Sequence, residues 1–308
     1  MSQMSEIAAG PTPLDGTGPV LTSRGRLVLR RFLRSRSAVA GIGVVLTLFA
    51  LAYLAPLASP WSYSELDYTA FLQGPSASHW FGTTQIGGDL FTQTMVGLQK
   101  SLIIGLLVGL ISTGLAAVVG AAAGYFGGWT DRALMWVVDL MLVLPAFLVI
   151  AILSPAFAGG SFLILVVLLA AFGWMIAARI VRGLTLSLRE REFVKAARFM
   201  GVPPWRIIFR HILPNMSSLL IVDATIAMGV AILGESTLSF FGFGVQPPDV
   251  SLGTLIASGL GSSQTYPWLF LFPAGFLVVA ILAFNLVGDG LRDALDSSSD
   301  AGRRKAEK

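Results

Sequence analysis

Uncharged apolar runs alternate with short polar stretches along most of the chain. The first run, 38–58, holds 21 residues without a charge. At about 1.5 Å per helical residue it is long enough to cross the roughly 30 Å hydrocarbon core of a bilayer. Further runs cover 101–123, about 133–153, 161–178, about 216–234 and 267–288. The second, fourth and sixth carry no charge, whereas the third holds Asp139 and Pro145 and the fifth holds Asp223. This pattern predicts an all-α polytopic membrane protein with six transmembrane helices.

The polar stretches divide the chain. Residues 1–23 are rich in Gly, Pro, Ser and Thr without a period, which reads as a disordered tail. Residues 24–37 form a basic segment with six arginines. A cleaved signal peptide has an apolar core of only about 7–15 residues, so the first span reads as retained. Residues 59–99 are polar, aromatic and turn-rich and contain no Lys or Arg, as does 235–266. Residues 100–289 form a core domain with the five remaining spans, and 290–308 a short polar tail. Pro145, Pro155 and Pro273 mark kinks or ends of spans. Gly105 and Gly109 form a G-x-x-x-G that allows close helix approach.

Composition agrees with the pattern. The chain is 55% hydrophobic and 12% charged, against about 25% charged for a soluble domain; its mean hydropathy is +0.76. There is no Cys, and His79 and His211 are the only histidines. Disulfides, thiolate sites, Cys nucleophiles and multi-His metal cages are thereby excluded. The pI of 9.7 would suit nucleic acid, but the placement of charge argues otherwise. Six Lys/Arg lie in 24–36, one at Arg132, eight in 179–210 and five from Arg292 onward, twenty of the 21. All twenty fall on one side if the N-terminus is cytoplasmic, and Lys100 stands at a membrane boundary where it can snorkel. The basic balance therefore reflects topology and anionic lipid, with both termini cytoplasmic.

The densest charge lies in 179–214. Phe193, Ala196, Ala197 and Met200 share one face of a short amphipathic helix. Gly201 suits its left-handed C-terminal cap, and Pro203-Pro204 prevents continuation. Trp205–Leu213 starts a second helix, stopped or kinked at Pro214. The two helices, within 189–214, make a compact knob. Such a knob could lie on lipid or insert into a protein groove; a flat Ala-Ala surface flanked by Phe193, Met200 and Trp205 favours the groove.

Lys195-Ala196-Ala197, then Gly201, with Ile212-Leu213-Pro214 beyond, resembles the EAA motif of ATP-binding-cassette importer permeases. Further matches run from about Arg31 to Asp296. They include His79-Trp80-Phe81-Gly82-Thr83, Gly124-Tyr125-Phe126-Gly127-Gly128-Trp129, Arg210-His211-Ile212-Leu213-Pro214-Asn215 and Leu238-Ser239-Phe240-Phe241-Gly242-Phe243-Gly244. Together they resemble the C-type permease of the dipeptide/oligopeptide/nickel branch. The resemblance implies the type I importer (MetI-like) fold and a peptide importer, nickel and glutathione-type solutes being alternatives within the same family. It implies a homologous B-type permease completing the pore, two cytoplasmic ATPase domains that consume ATP and Mg, and an extracytoplasmic solute-binding protein. It implies that Glu192, Phe193, Val194, Lys195, Ala196, Ala197, Arg198, Met200, Gly201 and Trp205 form the ATPase-docking helix. The chain departs from the family at three points. Lys195 replaces the motif acid, with Glu192 one turn earlier as a substitute. Gly88 and Gln99 stand where arginines are common.

No G-x-x-x-x-G-K-[ST] loop occurs, so the chain is expected to bind no nucleotide or other cofactor itself. No catalytic constellation is visible either. Asp139, Asp223 and Glu235 are the acids in or at the apolar spans, where ionisable groups are costly and often functional. Each reads either as a pore contact for solute or as a partner for a neighbouring helix. A secondary transporter or channel using these acids is the alternative from another class, but the halves show no hydropathy symmetry. His79 is a folding element or a binding-protein contact, and His211 a capping or packing residue.

Overall fold

The computed structural model describes residues 35–157 and 161–295. The 1–23 tail, most of the basic segment and most of the 290–308 tail lie outside the described residues. What is described is helical, with isolated bridges but no strand. Helix α1 is Arg36–Ala58, α2 Leu90–Phe126, α3 Gly128–Val143 and α4 Ala146–Leu153. Helix α5 is Leu163–Gly173, α6 Met175–Arg189, α7 Glu192–Phe199 and α8 Pro204–Ile207. Helix α9 is Ser217–Phe240, α10 Leu252–Leu260 and α11 Trp268–Leu295. Four of these, α1, α2, α9 and α11, are each long and apolar enough to cross a membrane. Helices α3 and α4 bend by 77° at their junction, and α5 and α6 by 45°; counting each pair as one span gives six.

The expected third and fourth spans are thus broken rather than straight. At the first break Pro145 cannot donate a helical hydrogen bond, and Leu144 before it is extended. The second break falls at Trp174, whose indole N–H turns back to the Ala171 carbonyl at 2.9 Å. The second span also starts eleven residues earlier than 101. Asp89 caps it, accepting from the Thr92 amide at 2.9 Å. Its polar first turns, Thr92, Gln93 and Thr94, are buried.

Helix α2 is the central strut. It packs most extensively on α6 and α9, while α1 packs on α11. Small residues permit the approach. A Cβ on Gly105 would stand 2.6 Å from an Ile232 methylene, and one on Gly120 would collide with the Ala178 carbonyl. Gly105 and Gly109 therefore face α9, and Gly120 and Gly124 face α6. Leu98, Leu102, Ile232, Ala283 and Phe284 fill the core between α2, α9 and α11. Gln99 ties α1 to α2, donating to the Ala52 carbonyl at 2.6 Å.

Residues 59–89 fold over one end of the bundle without forming a sheet. Phe81 stacks on Phe272 of α11 with centroids 4.0 Å apart. His79, 2% exposed, stacks on Trp61. Its Nδ1 lies 3.0 Å from Asp89 Oδ1 and its Nε2 3.5 Å from Asp67 Oδ2. The Thr69 hydroxyl and then its amide donate to Asp67, and with His79 they hold that carboxyl below its ordinary range. His79 is therefore a folding element, joining the segment to the cap of α2. Replacing it with Ala leaves the buried Asp89 short of a partner, a loss of about 1–3 kcal/mol. Protease cleavage within 59–89 is expected to speed up roughly tenfold or more; an unchanged cleavage rate would contradict this role.

Candidate functional site: a basic knob and a cavity along α9

The knob stands at the opposite end of the bundle from residues 59–89. Helix α7 ends in a double hydrogen-bonded cap. The Gly201 amide donates to the Arg198 carbonyl at 3.0 Å and the Val202 amide to Ala197 at 3.1 Å. Gly201 takes φ +74°, a conformation in which other residues are strained. Pro203 and Pro204 then redirect the chain into α8, which is followed by a wider helical turn over 208–212.

One stripe of α7 faces inward. Val194 and Ala197, each 2% exposed, pack with Ile207, Ile208 and Ile212 and reach Ala121 of α2 and Val181 of α6. The expected docking face therefore splits. Ala197 belongs to the core of the knob, because it lies about 100° round the helix from Ala196. The outer surface carries Phe193, Ala196, Met200 and Trp205, with Lys195, Arg198 and Glu192 also exposed. Phe199, 91% exposed, was not among the expected docking residues. Its signal in the sequence is a large apolar side chain off the inward 194/197 stripe. Trp205 meets Phe126 edge-on at 5.5 Å, so the end of α2 contributes to this surface.

Lys195, in the place of the motif acid, lies 3.2 Å from Glu190 and is paired within the chain. Its ammonium is the main reason that the Glu190 carboxyl sits below its ordinary range. Glu192 makes no ion pair among the described residues; it begins α7, where a negative charge favours the helix dipole. His211 is half-buried, and its carbonyl accepts from Asn215 at 2.6 Å.

A cavity of about 530 Å³ runs beside α9. Its wall is mostly apolar: Phe147, Ile150, Phe172, Ile226, Val230 and Leu238 contribute, with Asp223, Ser112 and Thr237 among its polar groups. A second cavity of about 450 Å³ continues along α9 past Ser218 and Leu219 to Arg292. Ala177, Asp223 and Ile226 line both. Thr113 of α2 donates to Asp223 at 2.8 Å, a partner that no local pattern predicts. Phe241 and Phe243 stand against Phe147 at the end of the first cavity remote from the knob.

The other two acids sit elsewhere. Glu235 is fully buried on a different face of α9. It accepts from Ser101 at 3.0 Å, Ser239 at 2.6 Å and Ser236 at 3.3 Å. The Ser239 hydroxyl in turn accepts from Ser251, which caps α10. Glu235 thus joins α2, α9 and α10 and lines neither cavity. Asp139 is more than half exposed and pairs with Arg179, as Asp131 does with Arg182. Lys100 has partners within the chain: its ammonium lies 2.6 Å from Asp249 and over the Phe162 ring.

Membrane-length helices, a cavity following one of them and a basic knob sharing a core with α2 and α6 define a multi-pass membrane transport subunit. Comparison with known proteins narrows the class. The chain belongs to the family of binding-protein-dependent transport system inner membrane components, whose profile matches residues 116–300. The N-terminal transmembrane domain of oligopeptide transport permease C matches residues 23–75. The chain is 57% identical to the oligopeptide transport system permease protein OppC of Mycobacterium tuberculosis over 283 residues, covering 92% of this chain and 97% of that protein. It is 36% identical to the protein of that name from Bacillus subtilis, covering 86% and 87%. With that from Haemophilus influenzae it shares 39%, covering 87% and 86%.

Proposed function

We propose that the chain forms half of the pore of an ATP-driven peptide importer and couples that pore to a cytoplasmic ATPase through the knob. A homologous permease supplies the facing half, covering the open side of α9. An extracytoplasmic binding protein delivers peptide at the end capped by 59–89. The knob and both termini are cytoplasmic, and ATP with Mg is bound and consumed by the partner subunits alone.

The observation that carries this reading is the shared core of the knob. Val194, Ala197, Ile207 and Ile208 share one buried cluster with Ala121 of α2 and Val181 of α6, and α2 also packs along α9. A displacement of the knob must therefore move the helices beside the cavity, since close-packed interiors transmit strain. The exposed Phe193, Phe199, Met200 and Trp205, bordered by bases, suit a partly apolar groove with an acidic rim.

The test is the double substitution Phe199→Ser with Met200→Ser. Both side chains are at least 75% exposed, so the knob should keep its fold. Loss of two central anchors commonly costs about 2–4 kcal/mol of binding. ATPase recovery with the purified permease pair is expected to fall at least about thirtyfold. Pairing of the two permeases should be unaffected. Undiminished ATPase association and peptide uptake would overturn the docking assignment.

A further inference from the structure

Asp223 occupies a singular place on the path beside α9. It lines the cavity toward the far end and also the one toward the knob, and so stands where the two meet. One carboxyl oxygen, Oδ2, receives the Thr113 hydroxyl at 2.8 Å, which fixes the group from the α2 side. Among the described residues no Lys or Arg lies within ion-pair distance of it, whereas Asp131 and Asp139 each have an arginine. The surrounding surface is apolar, through Val108, Ile226 and Val230. An acid on such a wall interacts strongly with a passing cation, because the apolar lining limits competition from water. The next base along the path is Arg292, on the wall of the cavity toward the knob.

We propose that Asp223 is a specificity-determining residue that favours solutes bearing a positively charged amine, such as a peptide with lysine side chains. This rests on the peptide-import reading and adds a charge preference to it. Thr113 acts as the positioning residue. It holds the carboxyl in one orientation and leaves Oδ1 for the solute. Arg292, of opposite sign, disfavours retention of the amine at the knob end, so the cation is held at Asp223 and then released.

The test uses the complete transporter in liposomes: both permeases, the ATPases and the binding protein. ATP-dependent uptake of trilysine, trialanine and triglutamate is measured with the same binding protein throughout, so that changes between variants report on the permease. Asp223→Asn is expected to lower trilysine uptake relative to trialanine about tenfold and to leave triglutamate equal or higher. Thr113→Val should shift the same ratio in the same direction by about threefold. Ile226→Asp, which adds a carboxylate to the same face, should raise the trilysine ratio, and it keeps the test decisive if the asparagine variant fails to assemble. Equal loss of all three peptides in Asp223→Asn, with no change of ratio in Ile226→Asp, would overturn the proposal and leave Asp223 a structural partner of Thr113. A wild-type transporter that moves none of the peptides would overturn the import reading and this inference with it. Normal wild-type uptake with unchanged ratios in every variant would overturn this inference alone.

Discussion

Ala197→Arg is expected to abolish ATP-driven uptake by unfolding the knob. Ala197 is 2% exposed and packs among Val194, Ile207 and Ile208. An arginine there has neither room nor a way to keep its charge hydrated. Overpacking a tight core costs about 1–3 kcal/mol, and an unpaired buried charge adds several more. The sum exceeds the roughly 4–5 kcal/mol that marks an exceptional substitution. Limited proteolysis should cut the 190–214 region of this variant rapidly, with the membrane helices still assembled. The Phe199→Ser, Met200→Ser pair should lose ATPase binding without such cleavage. The contrast separates loss of the knob from loss of its outer surface. A protease-resistant Ala197→Arg protein with normal uptake would refute the placement of this alanine.

Glu235→Ala is expected to destabilise the end of the bundle opposite the knob. Three serine hydroxyls donate to the Glu235 carboxyl, and Ser239 relays the network to Ser251. Removing the acceptor strands those hydroxyls in a dry interior, at about 1–3 kcal/mol each where they cannot find another partner. The apparent melting temperature in detergent should fall by several degrees, and α10 should become more open to proteolysis. Glu235→Gln keeps one acceptor oxygen and should be distinctly milder. Equal stability of the Ala variant and the parent would show that the network contributes nothing.

These two residues also mark how far local pattern reaches. The spans are legible because an uncharged apolar run near 20 residues matches the thickness of a bilayer and is too long for an ordinary core segment. Helix α1 accordingly falls within two residues of its expected limits, and α9 and α11 start within one residue of theirs but run six and seven residues past the expected ends. Asp223 and Glu235 look alike as acids at an apolar span, yet they lie twelve residues apart, about 120° round the helix. Asp223 shares its face with Ile226, Val230 and Thr237, beside the cavity; Glu235 points into the bundle. Helical phase is enough to separate them. The same arithmetic applies to Ala196 and Ala197. The Thr113 partnership, 110 residues away in sequence, is beyond such arithmetic, because it depends on how α2 crosses α9. So is the start of α2 at Leu90. Its polar first turns look like loop until residues 59–89 fold over them and supply their partners, as Tyr63 does for Gln93.

Helix α2 has 37 residues, a length of about 55 Å against a hydrocarbon thickness near 30 Å. Nearly half of this unbroken rod must stand in the headgroup layers or beyond them, or be taken up by tilt. Its two ends are anchored in different structures, Asp89 to His79 at one and Phe126 to Trp205 at the other. The rod therefore fixes the spacing between the two water-facing surfaces of the protein, whatever the bilayer does. Lipids with longer or shorter tails cannot stretch or compress that spacing; they can only change the rod's tilt and how much of the neighbouring 23- and 24-residue helices is covered. Membrane thickness becomes a mechanical load on the transporter, and transport rate should depend on acyl-chain length even when peptide, ATP and partners are held constant.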